Sequence, residues 1–137
     1  MDSLFASLGI TPDLLILTLA ALLWTVYLLT FAALATRQAG LGTTLGPRDD
    51  MRLQGLAARA DRAQRNHLDS LILFAIAVIV LHMSDRTSGA TETLGWVYLA
   101  ARAAYLPAYL SGIFALRSLI WSAGFFATLG LLVTALP

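Results

Sequence analysis

Cysteine is absent from the 137-residue chain, so it forms no disulfide, offers no thiol nucleophile and supplies no thiolate to a metal. Any thiol in its chemistry must come from a ligand. Lysine is absent too, and all nine basic residues are arginines. Charge of either sign is scarce, at 12% of residues, and a net charge of +1 excludes the broad cationic surface that a nucleic-acid backbone requires. No Gly-rich phosphate loop, nucleophile elbow or hydrolase motif occurs. The two histidines, His67 and His82, stand fifteen positions apart at opposite ends of one helical segment, so both read as interfacial and no metal site is expected.

What is abundant is apolar: 58% of residues are hydrophobic and the mean hydropathy is +0.76, which describes an integral membrane protein with room for one domain over residues 1–137. Met1-Asp2-Ser3-Leu4 lacks the positive start of a secretory signal, so the first helix is expected to be retained. Thr11-Pro12-Asp13 makes a helix start, with Thr11 as cap. Leu14 to Ala35 is an uncharged run of 22 residues, enough at about 1.5 Å each to cross a core of about 30 Å. Trp24 and Tyr27, mid-span, are expected to pack on other helices.

Gly40, Gly42, Gly46, Pro47 and Asp49-Asp50 make residues 37–55 a loop. A second helix is expected from near Met51 to Leu56 through Met83, with its first turns outside the apolar slab. Ser84 to Gly89 reads as a turn, Thr91-Glu92 as a cap, and Thr93 to Phe114 as a third helix. Gly112 to Arg117 is a short connection, and Leu119 to Leu136 a fourth helix. The expected fold is all-α, a four-helix membrane bundle. Six of the nine arginines lie between the first two spans, so the positive-inside rule puts residues 36–67 in the cytoplasm and both termini on the opposite side.

Arg59, Arg62, Asn66 and Asp69 recur at i, i+3, i+7 and i+10 and therefore share one helix face. Two readings stay open. Asp69 receives an ammonium group, Arg59 and Arg62 receive carboxylates and Asn66 orients a peptide; or Arg65 or Arg62 neutralises Asp69 and the face is an interfacial ion-pair network. Tyr98, Arg102, Tyr105 and Tyr109 form a second face. An arginine near mid-membrane carries a penalty of about 2.5 to 3.5 kcal/mol and should face the interior and find a partner, which in a purely structural role would be Asp69. Pro107 should kink this helix and free a carbonyl. Arg117 either favours a nearby thiolate or anchors a lipid headgroup.

Arg59-x-x-Arg62-Ala63-x-x-Asn66-x-x-Asp69, with Leu71 and Phe74, resembles the second-helix signature of the MAPEG family, the membrane-associated proteins in eicosanoid and glutathione metabolism. Tyr98 to Arg102, Tyr105-x-x-x-Tyr109 and Leu116-Arg117-Ser118-x-x-Trp121 resemble its bacterial members. The resemblance implies a homotrimer in a bacterial inner membrane, with glutathione as cosubstrate held at subunit boundaries on the cytoplasmic side. By this likeness Arg62, Asn66 and Asp69 hold the glutathione backbone, Gln64 adds a contact, Tyr105 and Tyr109 match tyrosines of the third helix, and Arg117 matches the arginine that activates the thiolate. Two departures stand out: Asp69 is one methylene shorter than the usual glutamate, and Ser70 replaces an aromatic residue of some eukaryotic members. Arg117 also lies one residue further from Tyr109 than in the eukaryotic enzymes.

The expected activity is glutathione-dependent transfer to lipophilic electrophiles, or reduction of lipid hydroperoxides, with Arg59, Arg62, Gln64, Asn66, Asp69, Arg102, Tyr105 and Tyr109 binding glutathione and Arg117 catalytic. The alternative is a non-catalytic lipid- or glutathione-binding protein of the same fold. A small multidrug exporter would use an acidic residue inside the first span, and Leu14 to Ala35 has none.

Overall fold

The computed structural model describes residues 9–49 and 51–137; the reading of the first four residues as no secretory signal lies outside it, as does Asp50. Among the described residues five helices follow in order: α1 (Pro12–Ala39), α2 (Leu41–Leu45), α3 (Gly55–Met83), α4 (Gly89–Ser111) and α5 (Phe114–Ala135). No strand occurs among the described residues.

The boundaries depart from expectation where local chemistry outweighs hydropathy. Thr11 is the N-cap of α1, but its side chain makes no cap bond and lies instead 3.5 Å from His82 Nδ1. The expected loop from residue 37 is helical at its start: α1 runs on to Ala39, Gly40 breaks it with φ 83°, and the short α2 follows. The third span starts at Gly89 rather than Thr93, because Ser88, not Thr91, is the cap. Ser88 Oγ accepts from the Thr91 amide at 3.3 Å while Thr91 Oγ1 accepts from the Ser88 amide at 2.8 Å, so two otherwise unpaired donors are satisfied reciprocally. Gly112, left-handed at φ 79°, ends α4, and α5 resumes at Phe114 rather than Leu119, which puts Arg117 inside α5.

α1 packs against α3 and α4, α5 packs against the same two, and the described backbones of α1 and α5 do not approach each other closely. One core cluster centres on Phe74 of α3 and Tyr98 of α4, whose rings stack at 3.8 Å. A second, toward the arginine-rich end, contains Tyr27, Ala63 and Tyr105. Large apolar side chains such as Leu29, Leu119 and Phe126 point outward, as a lipid-facing surface requires. By length and composition α1, α3 and α5 can cross a membrane. α4 falls short of that measure, since Thr91, Glu92, Arg102 and its three tyrosines dilute its hydropathy.

Polar contacts close both ends of the bundle. At one end Asp13 Oδ2 pairs with His82 Nδ1 at 2.9 Å, tying α1 to α3. At the other, Arg59 Nη1 donates to the Leu110 carbonyl at 2.9 Å, satisfying one of the last acceptors of α4. His67 is not interfacial: it is fully buried, its ring 4.6 Å from that of Tyr27. The helix turn that sends Asn66 toward α4 sends His67 toward α1.

Candidate functional site

Arg102 sits at the centre of the polar interior, 2% exposed. Its placement comes from three helices. From α1, the Tyr27 hydroxyl donates to the Arg102 carbonyl at 2.5 Å and holds α4 at this residue. From α3, Asn66 Oδ1 accepts from Arg102 Nη1 at 3.3 Å. From α5, Gly124 leaves room for the guanidinium, since a Cβ there would lie 3.0 Å from Nη2. The rings of Tyr98 and Tyr105 flank the cation, each centroid 5.4 Å from Cζ, and their quadrupoles replace part of its lost hydration. Nε of Arg102 has no partner among the described residues.

Asp69 forms no ion pair among the described residues. Of the expected structural partners, Arg65 turns back to Asp61 at 3.0 Å, with the acid on the N-terminal side of the base where i,i+4 pairs are most favourable, and Arg102 is held by Asn66. Asp69 instead lines a cleft of about 190 Å³ with Asn66, Ser70, Leu73, Arg102, Trp121, Phe125 and Thr128. A second cleft of about 460 Å³ adjoins it at Asn66 and Trp121 and is lined by Tyr105, Tyr109, Arg117, Ser118 and Ser122. Arg117 lies over Tyr109, its Cζ 5.0 Å from the ring, and 5.1 Å from that of Phe114. The groove thus presents a carboxylate, a buried guanidinium edge, a second guanidinium and tyrosine rings, with Leu73, Trp121 and Phe125 as apolar wall.

That chain of contacts over α3, α4 and α5 coincides with a family model matched across residues 14–137. The chain belongs to the MAPEG family. No curated protein and no solved structure gives a significant match.

In this MAPEG chain the structure gathers six of the nine expected site residues at the groove: Asn66, Asp69, Arg102, Tyr105, Tyr109 and Arg117. The other three go elsewhere. Arg59 is engaged with the end of α4, Arg62 is exposed and lines neither cleft, and Gln64 is buried with Nε2 3.4 Å from Asp61 Oδ1. Residues not singled out for the site complete it: Leu73, Ser122, Gly124, Phe125 and Thr128, with Ser70, Ser118 and Trp121 named only in the family pattern. For Ser118, Ser122, Gly124 and Thr128 a signal existed in the small or hydroxyl residues that follow Arg117 along α5. Among the described residues no three of His, Asp and Glu come together as a metal site.

Proposed function

We propose that this MAPEG chain is a membrane-bound glutathione-dependent transferase or peroxidase that acts on lipophilic electrophiles or lipid hydroperoxides. The observation that carries the reading is the pairing, in one groove, of a carboxylate without an ion partner and a buried guanidinium with an unpaired edge, both among the described residues. Asp69 faces an ammonium and Arg102 a carboxylate, so together they suit a zwitterionic amino-acid moiety such as the γ-glutamyl end of glutathione. Asn66 orients the peptide, Tyr105 and Tyr109 line the path to the sulfur, and Arg117 favours the ionised thiol for attack on a substrate entering from the bilayer past Leu73, Trp121 and Phe125.

Arg62, exposed and off the groove in one subunit, completes the ligand's surroundings in a homotrimer, where it meets a site on its neighbour, while the buried Gln64 stays with Asp61. The unit is a single four-helix domain, with all four long helices crossing a bacterial inner membrane and residues 36–67 in the cytoplasm. A non-catalytic, ligand-holding role is the second reading, favoured by the shorter Asp69 and by the aromatic rings that already occupy the Arg117 guanidinium.

The test is isothermal calorimetry of glutathione into the detergent-purified protein beside Asp69→Ala and Arg62→Ala. Binding to the wild type that is lost in both variants supports the site; no binding by the wild type at millimolar glutathione overturns the reading. Thiolate absorbance of the bound ligand, lost in Arg117→Ala with binding retained, separates the enzyme from the holder.

A further inference from the structure

The connection between α1 and α3 carries a feature that the groove does not use. Gly40, at φ 83°, turns the chain out of α1, so α2 is a separate element rather than a continuation. α2 touches α1 alone among the other helices. It buries Thr44, whose hydroxyl bonds the Gly40 carbonyl at 2.8 Å, and it leaves Leu41 62% and Leu45 76% exposed. These leucines stand at i and i+4, one face of the helix.

Exposed arginines stand in the chain on either side of α2. Arg37 is exposed in the last turn of α1. Arg48, at φ 65°, folds back so that Nε donates to the Thr44 carbonyl at 2.6 Å, which keeps its guanidinium at the end of α2. The Gln54 amide donates to Gln38 Oε1 at 3.1 Å, returning the connection to the end of α1 and bringing the exposed Arg52 to the same end as Arg37. None of the three forms an ion pair among the described residues. α1 and α3 are apolar enough to cross a membrane, so the segment between them lies where hydrocarbon gives way to headgroups. An exposed apolar face with guanidiniums in the flanking chain complements, at that depth, acyl chains below and phosphates above.

We propose that α2 and its flanking arginines form a binding surface for anionic phospholipid. Leu41 and Leu45 enter the acyl boundary, and Arg37, Arg48 and Arg52 hold the phosphates of the headgroups. The attraction of juxtamembrane arginines to an anionic surface corresponds to about fivefold local enrichment of anionic lipid per arginine.

The chain has no cysteine, so Leu45→Cys and Thr43→Cys in the full-length protein each give one attachment point for an environment-sensitive fluorophore, on opposite faces of α2. The labelled proteins are reconstituted into vesicles of phosphatidylcholine and phosphatidylglycerol in which one or the other lipid is brominated. The surface predicts blue-shifted emission at position 45 but not 43, and stronger quenching by brominated phosphatidylglycerol than by brominated phosphatidylcholine. That preference falls to the bulk lipid ratio in the Arg37→Gln, Arg48→Gln, Arg52→Gln triple variant, whose fold is checked by helical circular dichroism. Added inorganic phosphate leaves the emission unchanged, since the phosphates bound are those of lipid. Water-like emission at position 45, or equal quenching by the two brominated lipids in the wild type, overturns the proposal.

Discussion

Arg102 shows how a single charge is made tolerable inside a helical bundle without a countercharge among the described residues. Its surroundings supply an amide oxygen from Asn66, two tyrosine faces and the bare backbone at Gly124, and no carboxylate among the described residues pairs with it. An arginine neutralised by a buried acid would be silent toward ligands; one held by neutral groups keeps its charge available to an anion. His67 is the opposite case, fully buried with both ring nitrogens lacking partners among the described residues. An unmatched buried polar group costs about 1 to 3 kcal/mol, and leucine fills a similar volume without it. His67→Leu is therefore expected to stabilise the fold by about 1 kcal/mol, seen as a higher midpoint of thermal unfolding in one detergent; a lower midpoint would mean that the imidazole has partners the bundle does not display.

Among the elements, α4 depends most on its neighbours, because its hydropathy alone does not commit it to the membrane. Tyr27 of α1 anchors it at the Arg102 carbonyl, and Arg59 of α3 binds its last turn. Pro107 lies within α4, which continues to Ser111; the carbonyl deprived of its donor belongs to Ala103, one residue beyond the one Tyr27 uses. Tyr27→Phe removes a single buried hydroxyl and keeps the ring against His67. The expected loss is about 1 kcal/mol. It should be additive with a remote change at Ser88 and coupled to Asn66→Ala, which a double-mutant cycle of unfolding midpoints resolves.

For the whole molecule the decisive question is whether all four long helices cross. A cysteine at Thr87, between α3 and α4, and one at Ala115, in the first turn of α5, lie at opposite ends of the bundle. With a membrane-impermeant maleimide on sealed vesicles, Thr87→Cys and Ala115→Cys are expected to label from opposite sides, with Ala115→Cys sharing the side of the arginine-rich connection. Labelling of both from one side would show that α4 does not cross.

The residues alone determined that the chain is helical and membrane-bound, because uncharged runs long enough to span a bilayer leave the backbone no other way to satisfy its hydrogen bonds. They also singled out Asn66, Asp69, Arg102, Tyr105, Tyr109 and Arg117, which the structure places along two adjoining clefts, since charged and hydroxyl side chains in apolar helices are rare enough to stand out. Helix periodicity placed Arg59 and Arg62 on the same face as Asn66, yet it carries no information about which neighbouring helix each long side chain meets. Only the tertiary structure decided that Arg59 binds the end of α4, that Arg65 reaches Asp61 and leaves Asp69 without an ion partner among the described residues, and that His67 turns inward. The apolar wall from α5 was equally hidden, because Trp121 and Phe125 resemble lipid-facing residues until α3 is packed beside them.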